Sequence, residues 1–150
     1  NISHFNYSPL KNFYGTDRFT LIADEGDRST EVNFEIHVKS VQDPPVFLES
    51  AEFNSTEIKN DLDLSVSPGV YLEKQIFATD PDDQLISFRL LRPTGTANWL
   101  SIKSETQENG VAVVTIGGTV PSLFDRESYA LIASDPTERF TLMSINIFAD

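Results

Sequence analysis

Apolar and polar residues alternate along several stretches of this chain. The clearest is Val32, Phe34, Ile36 and Val38 interleaved with Asn33, Glu35, His37 and Lys39. A period of two sends successive side chains to opposite faces, which marks a strand with one buried side. Phe19, Leu21 and Ala23 alternate in the same way just upstream, with a turn at Asp24-Glu25-Gly26-Asp27, so residues 18–39 are predicted to form a hairpin. Farther on, the pattern predicts strands at 46–53, 62–66, 71–79, 85–91, 99–103, 111–116, 128–134 and 140–148. Ser67-Pro68-Gly69, Asp80-Pro81-Asp82-Asp83, Pro93-Thr94-Gly95, Glu108-Asn109-Gly110 and Gly117-Gly118 break the chain between them. No window carries a helical period. Many short strands at this spacing predict an all-β fold, a β-sandwich of two packed antiparallel sheets. Phe88, Leu90, Trp99, Leu100, Ile116, Tyr129 and Leu131 are the expected centre. Each fully buried large side chain contributes roughly 1.5–3 kcal/mol.

The hairpin recurs near the end of the chain. Phe19-Thr20-Leu21-Ile22-Ala23 aligns with Tyr129-Ala130-Leu131-Ile132-Ala133 at an offset of about 110 residues. The turn at Asp24 corresponds to Ser134-Asp135-Pro136, and Phe34, Ile36 and Val38 correspond to Met143, Ile145 and Ile147. The two copies read as the closing hairpins of tandem units. Residues 1–43 are then the second half of one unit, and residues 44–150 are one nearly complete unit. Asn1 is not an initiator methionine, so the sequence reads as a piece of a longer chain. Between the units, Val41-Gln42-Asp43-Pro44-Pro45-Val46-Phe47 contains adjacent prolines that favour a stiff, extended connection. Three strands at most cannot enclose a core, so Phe5, Tyr7, Phe13 and Phe19 are expected to need a neighbouring unit or a further segment.

Composition narrows the chemistry. Among 150 residues there are 23 acidic and 11 basic side chains and no cysteine, for a formal charge of −12. Disulfides, thiolate nucleophiles and sulfur-ligated zinc are excluded. A pI near 4.4 repels nucleic acid and anionic lipid and favours cations. No stretch approaches the roughly 18 consecutive apolar residues of a membrane-spanning helix. Asp80, Asp82 and Asp83 follow the end of a predicted strand, and Asp135 ends another that shares the Ala-x-Asp pattern. If both ends face one pole, linker Asp43 joins them there. At about 5 Å and an effective dielectric near 20, each anion pair repels by roughly 3 kcal/mol, so such a cluster calls for a cation. Hard oxygen ligands without histidine or cysteine select calcium. The plainer reading is that these aspartates are ordinary solvated turn residues.

Ala78-Thr79-Asp80-Pro81-Asp82, Phe124-Asp125-Arg126-Glu127 and Tyr129-x-Leu131-x-Ala133-x-Asp135 together resemble the calcium motifs of cadherin repeats. Trp99-Leu100-Ser101, Gly118-Thr119-Val120-Pro121 and Ala133-Ser134-Asp135-Pro136 are similar to the dystroglycan-type, immunoglobulin-like branch found in large bacterial surface proteins. Residues 5–47 resemble a bacterial tandem-repeat version through Phe5-Asn6-Tyr7-Ser8-Pro9, Asn12-Phe13-Tyr14-Gly15-Thr16-Asp17 and Asp43-Pro44-Pro45-Val46-Phe47. The resemblance implies a Greek-key sandwich of the cadherin and immunoglobulin type, strung head to tail with calcium at the junctions. By motif, Asp80, Asp82 and Asp135 would be ligands completed by Asp43, while Asp125 and Glu127 would serve the opposite pole. The linker lacks the family's fuller Asp-x-Asn-Asp-Asn run, and Glu57 and Asp61 are the only stand-ins for its early glutamate.

The function so implied is a noncatalytic adhesion or spacer module of a large extracellular surface protein. Its partners would be neighbouring repeats of the same chain and another cell-surface protein or glycan, with no nucleic acid and no membrane insertion. The alternative is a carbohydrate-binding accessory module using Trp99, Tyr14 or Phe13 as a sugar platform. His4 and His37 are far apart in sequence, no Gly-x-Ser-x-Gly setting occurs, and no phosphate-cradling glycine loop precedes a helix, so hydrolase and nucleotide chemistry lose support.

Overall fold

A computed structural model describes residues 4–52, 55–58, 60–95 and 98–150. The chain divides into two compact units, Asn1–Val41 and Gln42–Asp150. Every regular element among the described residues is a strand.

The first unit is a hairpin of β1 (Gly15–Glu25) and β2 (Arg28–Val38), antiparallel with Phe19 opposite Phe34 and Leu21 opposite Val32. Those residues share one face, where Phe19 and Phe34 stack at 5.1 Å and Phe5 meets both edge-on at 5.3 and 5.6 Å. The other face is polar. Arg18 pairs with Glu35 at 2.8 Å, Glu35 also contacts His37, and the Thr20 hydroxyl donates to Asn33. The residues expected to need cover differ in exposure: Phe5 and Phe13 are exposed, whereas Tyr7 and Phe19 are half-buried.

The second unit is an all-β sandwich. One sheet runs in the order β3 (Val46–Leu48), β5 (Tyr71–Thr79), β8 (Val111–Thr119), β7 (Ser101–Glu108). The other runs β4 (Asp61–Val66), β10 (Phe140–Ala149), β9 (Arg126–Ser134), β6 (Ser87–Leu91). Period-two apolar residues from both inner faces close the core. Ile76, Ala78, Val114 and Ile116 come from one sheet, and Phe88, Leu131, Met143, Ile145 and Ile147 come from the other. Of the expected centre, Phe88, Leu100, Ile116, Tyr129 and Leu131 are buried, while Leu90 and Trp99 pack against its margin.

Three details depart from the sequence reading. The first predicted strand is only three residues long as β3. The chain then bends, with Ser50 and Ser55 joined by their hydroxyls, and Phe53 lies outside the described residues. Secondly, β4 pairs with β10 in parallel, Leu62 opposite Ile145 and Leu64 opposite Ile147, whereas antiparallel sheets were expected throughout. The chain crosses from one sheet to the other between β3 and β4, and alternation carries no information about strand direction. Thirdly, β7 extends to Glu108 through a polar run. Its Glu105 and Gln107 side chains accept hydrogen bonds from the Phe88 and Ile86 amides at the free edge of β6. Those positions serve the opposite sheet's backbone, so no apolar alternation announces them.

Gly118 fixes a further close approach. A Cβ on it would lie 1.7 Å from the Trp99 carbonyl oxygen, because the Trp99-Leu100 backbone crosses directly over β8 at that point.

Candidate metal centre

The ends of β5 and β9 lie at one pole of the sandwich. Val46 pairs with Thr79, Ser134 pairs with both Ser87 and Phe140, and the Thr141 hydroxyl donates to the Pro45 carbonyl where the linker enters. Both strands end in an Asp-Pro turn, and the two turns have the same construction.

In the first, Asp80 Oδ1 accepts the Asp82 amide at 2.8 Å and the Gln84 amide at 3.4 Å, while the Asp80 carbonyl accepts the Asp83 amide. In the second, Asp135 Oδ1 accepts the Thr137 amide at 2.7 Å and the Arg139 amide at 3.0 Å, and the Asp135 carbonyl accepts the Glu138 amide. The Thr137 hydroxyl adds a further bond to Asp135 Oδ1 at 2.8 Å. The fourth residue of each turn takes a left-handed backbone, with φ of 57° at Asp83 and 66° at Glu138. An aspartate that caps its own turn in this way fixes its carboxylate against the strand end.

Each of these carboxylates is spent on one oxygen only. Asp80 is 5% exposed and Asp135 6%, yet Oδ2 of both is buried without a hydrogen-bond partner. Among the described residues, the third such buried side-chain atom is Gln84 Oε1, which belongs to the same Asp-Pro turn as Asp80. A buried acceptor without a donor is costly, and natural folds keep few of them. Two of the three lie in the turn after β5 and the third in the turn after β9. Burial raises the Asp80 pKa and prevails over the two amide hydrogen bonds that lower it, and the charges of Asp82 and Asp135 push it the same way as burial. Burial also pushes Asp135 upward. There the bonds from Thr137 and the Arg139 amide, with the Arg139 charge, outweigh it and hold the carboxyl below its usual value.

The other expected ligands are placed differently. Asp82 Oδ2 accepts the Asp43 backbone amide at 2.7 Å, so Asp43 meets this turn through its main chain. Asp83 is exposed at the left-handed position. Asp125 is exposed, and its carbonyl accepts the Ala149 amide at 2.7 Å. Glu127 lies near the start of β9, at the opposite end of that strand from Asp135. Its Oε2 accepts the Trp99 indole N–H at 2.9 Å and the Tyr129 hydroxyl. Burial, with the bond to Glu127 and its charge, pushes the Tyr129 pKa far up.

Among the described residues, no three His, Asp or Glu side chains come together closely enough to hold a metal ion by themselves. The buried oxygens left without a hydrogen bond in these turns, two of carboxylates and one of an amide, are all hard donors. That chemistry fits calcium, which takes six to eight oxygens and accepts carbonyls and waters among them. Sequence reasoning singled out Asp80 and Asp135 as candidates and passed over Gln84, whose orphaned oxygen only the structure reveals. A signal for the position was available in the aligned turns Asp80-Pro81-Asp82-Asp83-Gln84 and Asp135-Pro136-Thr137-Glu138-Arg139, whose fifth positions are equivalent.

No family model and no curated protein matches this sequence. Solved structures do. The extracellular cadherin domains 1–5 of protocadherin gamma B2 align at 16% identity over 93% of this chain and 26% of that one, with a TM-score of 0.52. The first three extracellular cadherin domains of a mouse clustered protocadherin align at 18% identity over 90% of this chain and 42% of that one, with a TM-score of 0.50. An endo-fucoidan hydrolase of glycoside hydrolase family 107 aligns at 19% identity over 94% of this chain and 19% of that one, at 0.49. The chain thus spans less than half the length of each of these structures. What the cadherin likeness shows is the fold, an all-β sandwich of the cadherin and immunoglobulin type.

Proposed function

We propose that this chain is a noncatalytic, calcium-binding adhesion or spacer module of a large extracellular surface protein of the bacterial type, in which calcium at the Asp80 and Asp135 pole orders the segment leading into the second unit. The observation that supports the reading is that Asp80, Asp135 and Gln84 each keep a buried oxygen without a hydrogen-bond partner in the two turns at the end of the sandwich where Asp43 enters. Asp80 and Asp135 would hold the ion, and the ion would offset a repulsion that the metal-free fold bears alone. Two carboxylates make a weak site. Weak calcium sites of extracellular modules have dissociation constants of about 10⁻⁴–10⁻³ M, so a millimolar medium fills them and the cytosol does not. The partners are neighbouring repeats of the same chain and another surface protein or glycan.

At a calcium concentration about 100-fold above the dissociation constant, linkage adds roughly 2.7 kcal/mol to the folded unit. Calorimetric titration with calcium, and separately with magnesium, together with thermal unfolding and small-angle scattering in calcium or chelator, tests the reading. Saturable calcium binding with a raised melting temperature is expected. Unchanged stability and shape on chelation would refute it.

Tyr14 and Phe13 favour the carbohydrate-binding alternative. They are adjacent and exposed, whereas Trp99 is half-buried with its N–H engaged by Glu127. Saturable binding on a glycan array, lost in Tyr14→Ala, would support that reading in place of the first.

A further inference from the structure

Gln84 belongs to the candidate metal centre and also touches the linker. Its backbone is held twice: the amide donates to Asp80 Oδ1 at 3.4 Å, and the carbonyl accepts Gln107 Nε2 at 2.9 Å. With the main chain fixed from both sides, the side chain is left two polar ends. Nε2 donates to Gln42 Oε1, in the segment that enters the unit, while Oε1 is buried with no partner. One amide thus faces the linker with its nitrogen and carries an unused oxygen at the pole that holds the free oxygens of Asp80 and Asp135.

We propose that Gln84 is a ligand and a coupling group at once: its Oε1 completes the calcium site as a neutral donor, and its Nε2 passes occupancy of that site to Gln42. The inference rests on the calcium reading above. Calcium requires more oxygens than two carboxylates offer, and an amide carbonyl is an ordinary member of its shell. Coordination of the carbonyl draws electron density from the amide nitrogen and strengthens the N–H as a donor, so the bond to Gln42 tightens when the ion is present. A glutamate at this position would bind the ion through a further charge but would present no donor to Gln42. Glutamine is the side chain that does both. The linker is then read through the Gln42 side chain, where the sequence motif had pointed to the Asp43 carboxylate.

The test uses the full chain, with calcium as the probe. Calorimetry gives the affinity, and hydrogen exchange of a peptide spanning residues 39–47 gives linker order. In the unaltered protein, calcium binding is expected to slow exchange in that peptide. Gln84→Leu should weaken binding by about tenfold or more, the scale on which a lost supporting group at a metal site is felt. Gln84→Glu should bind calcium at least as tightly as the unaltered protein, because it adds a charge at the same position. Gln42→Leu should also lose the protection, with affinity falling only by the few-fold coupling factor that reciprocity demands. Unfolding of each variant in chelator, followed by Trp99 fluorescence, shows whether it has folded. If the unaltered chain binds no calcium, the parent reading fails and this inference with it. If it binds calcium while Gln84→Leu matches its affinity, or while Gln42→Leu keeps the protection, the role of Gln84 is overturned and the calcium site stands.

Discussion

Asp80→Asn separates a cation site from a merely structural turn, because the two readings predict opposite signs in the absence of metal. The side chain is 5% exposed, Oδ1 holds the Asp82 and Gln84 amides, and Oδ2 has no partner. Asparagine keeps the shape and the Oδ1 acceptor, so the turn survives. What disappears is a negative charge whose pKa is raised by burial and by the charges of Asp82 and Asp135. Relief of an unpartnered buried acceptor is worth about 1 kcal/mol, toward the lower end of the range for such groups, since the new amide nitrogen is itself polar. For a unit of about 110 residues this raises the melting temperature by about 4 °C. In calcium the order reverses. The unaltered protein gains roughly 2.7 kcal/mol at a hundredfold excess over its dissociation constant, or about 10 °C, and the variant gains little. The assay is thermal unfolding of the full chain, monitored by Trp99 fluorescence in chelator and in calcium. A variant that melts lower than the parent in chelator, or keeps the parent's calcium shift, would refute the reasoning.

Two further outcomes follow from the fold. Glu127→Ala strands the Trp99 indole N–H and the Tyr129 hydroxyl, and should destabilise the unit by about 2–3 kcal/mol in denaturant unfolding. It should also let Tyr129 ionise at lower pH in an ultraviolet titration, since Glu127 is among the groups raising its pKa, and leave the calcium midpoint unchanged. Gly118→Ala drives a Cβ into the Trp99 carbonyl, so the chain should either fail to fold or lose about 3 kcal/mol or more, read by circular dichroism and calorimetry; a melting temperature within about 2 °C of the parent would contradict the close approach.

The sandwich was legible in the sequence wherever burial is one-sided. β5, β9 and β10 present alternating inner and outer residues, and the predicted spans fall close to Tyr71–Thr79, Arg126–Ser134 and Phe140–Ala149. Reading failed where other forces act. β7 is polar because Glu105 and Gln107 reach across to the backbone of β6, and the direction of β4 depends on a sheet crossing that no local pattern encodes. At the candidate site, the spacing of Asp80 and Asp135 after matched Ala-x-Asp strand ends pointed to a common pole. Spacing could not tell a free carboxylate oxygen from an engaged one. One oxygen of Asp82 accepts the Asp43 amide and one oxygen of Glu127 accepts two aromatic donors, and Gln84 carries no charge to draw attention to it.

The caps on β6 have a consequence for molecules packed side by side. An outer strand whose amides are free invites a stray chain to zip onto it, which is the first step toward fibrils. Here the Ile86 and Phe88 amides are already engaged by side chains of the facing layer, and at the far border of its own sheet Asp61 and Asp63 place charge on β4. The unit thereby resists fusing with another copy of itself at this border, and it does so by occupying hydrogen-bond donors while leaving its interior apolar packing unchanged.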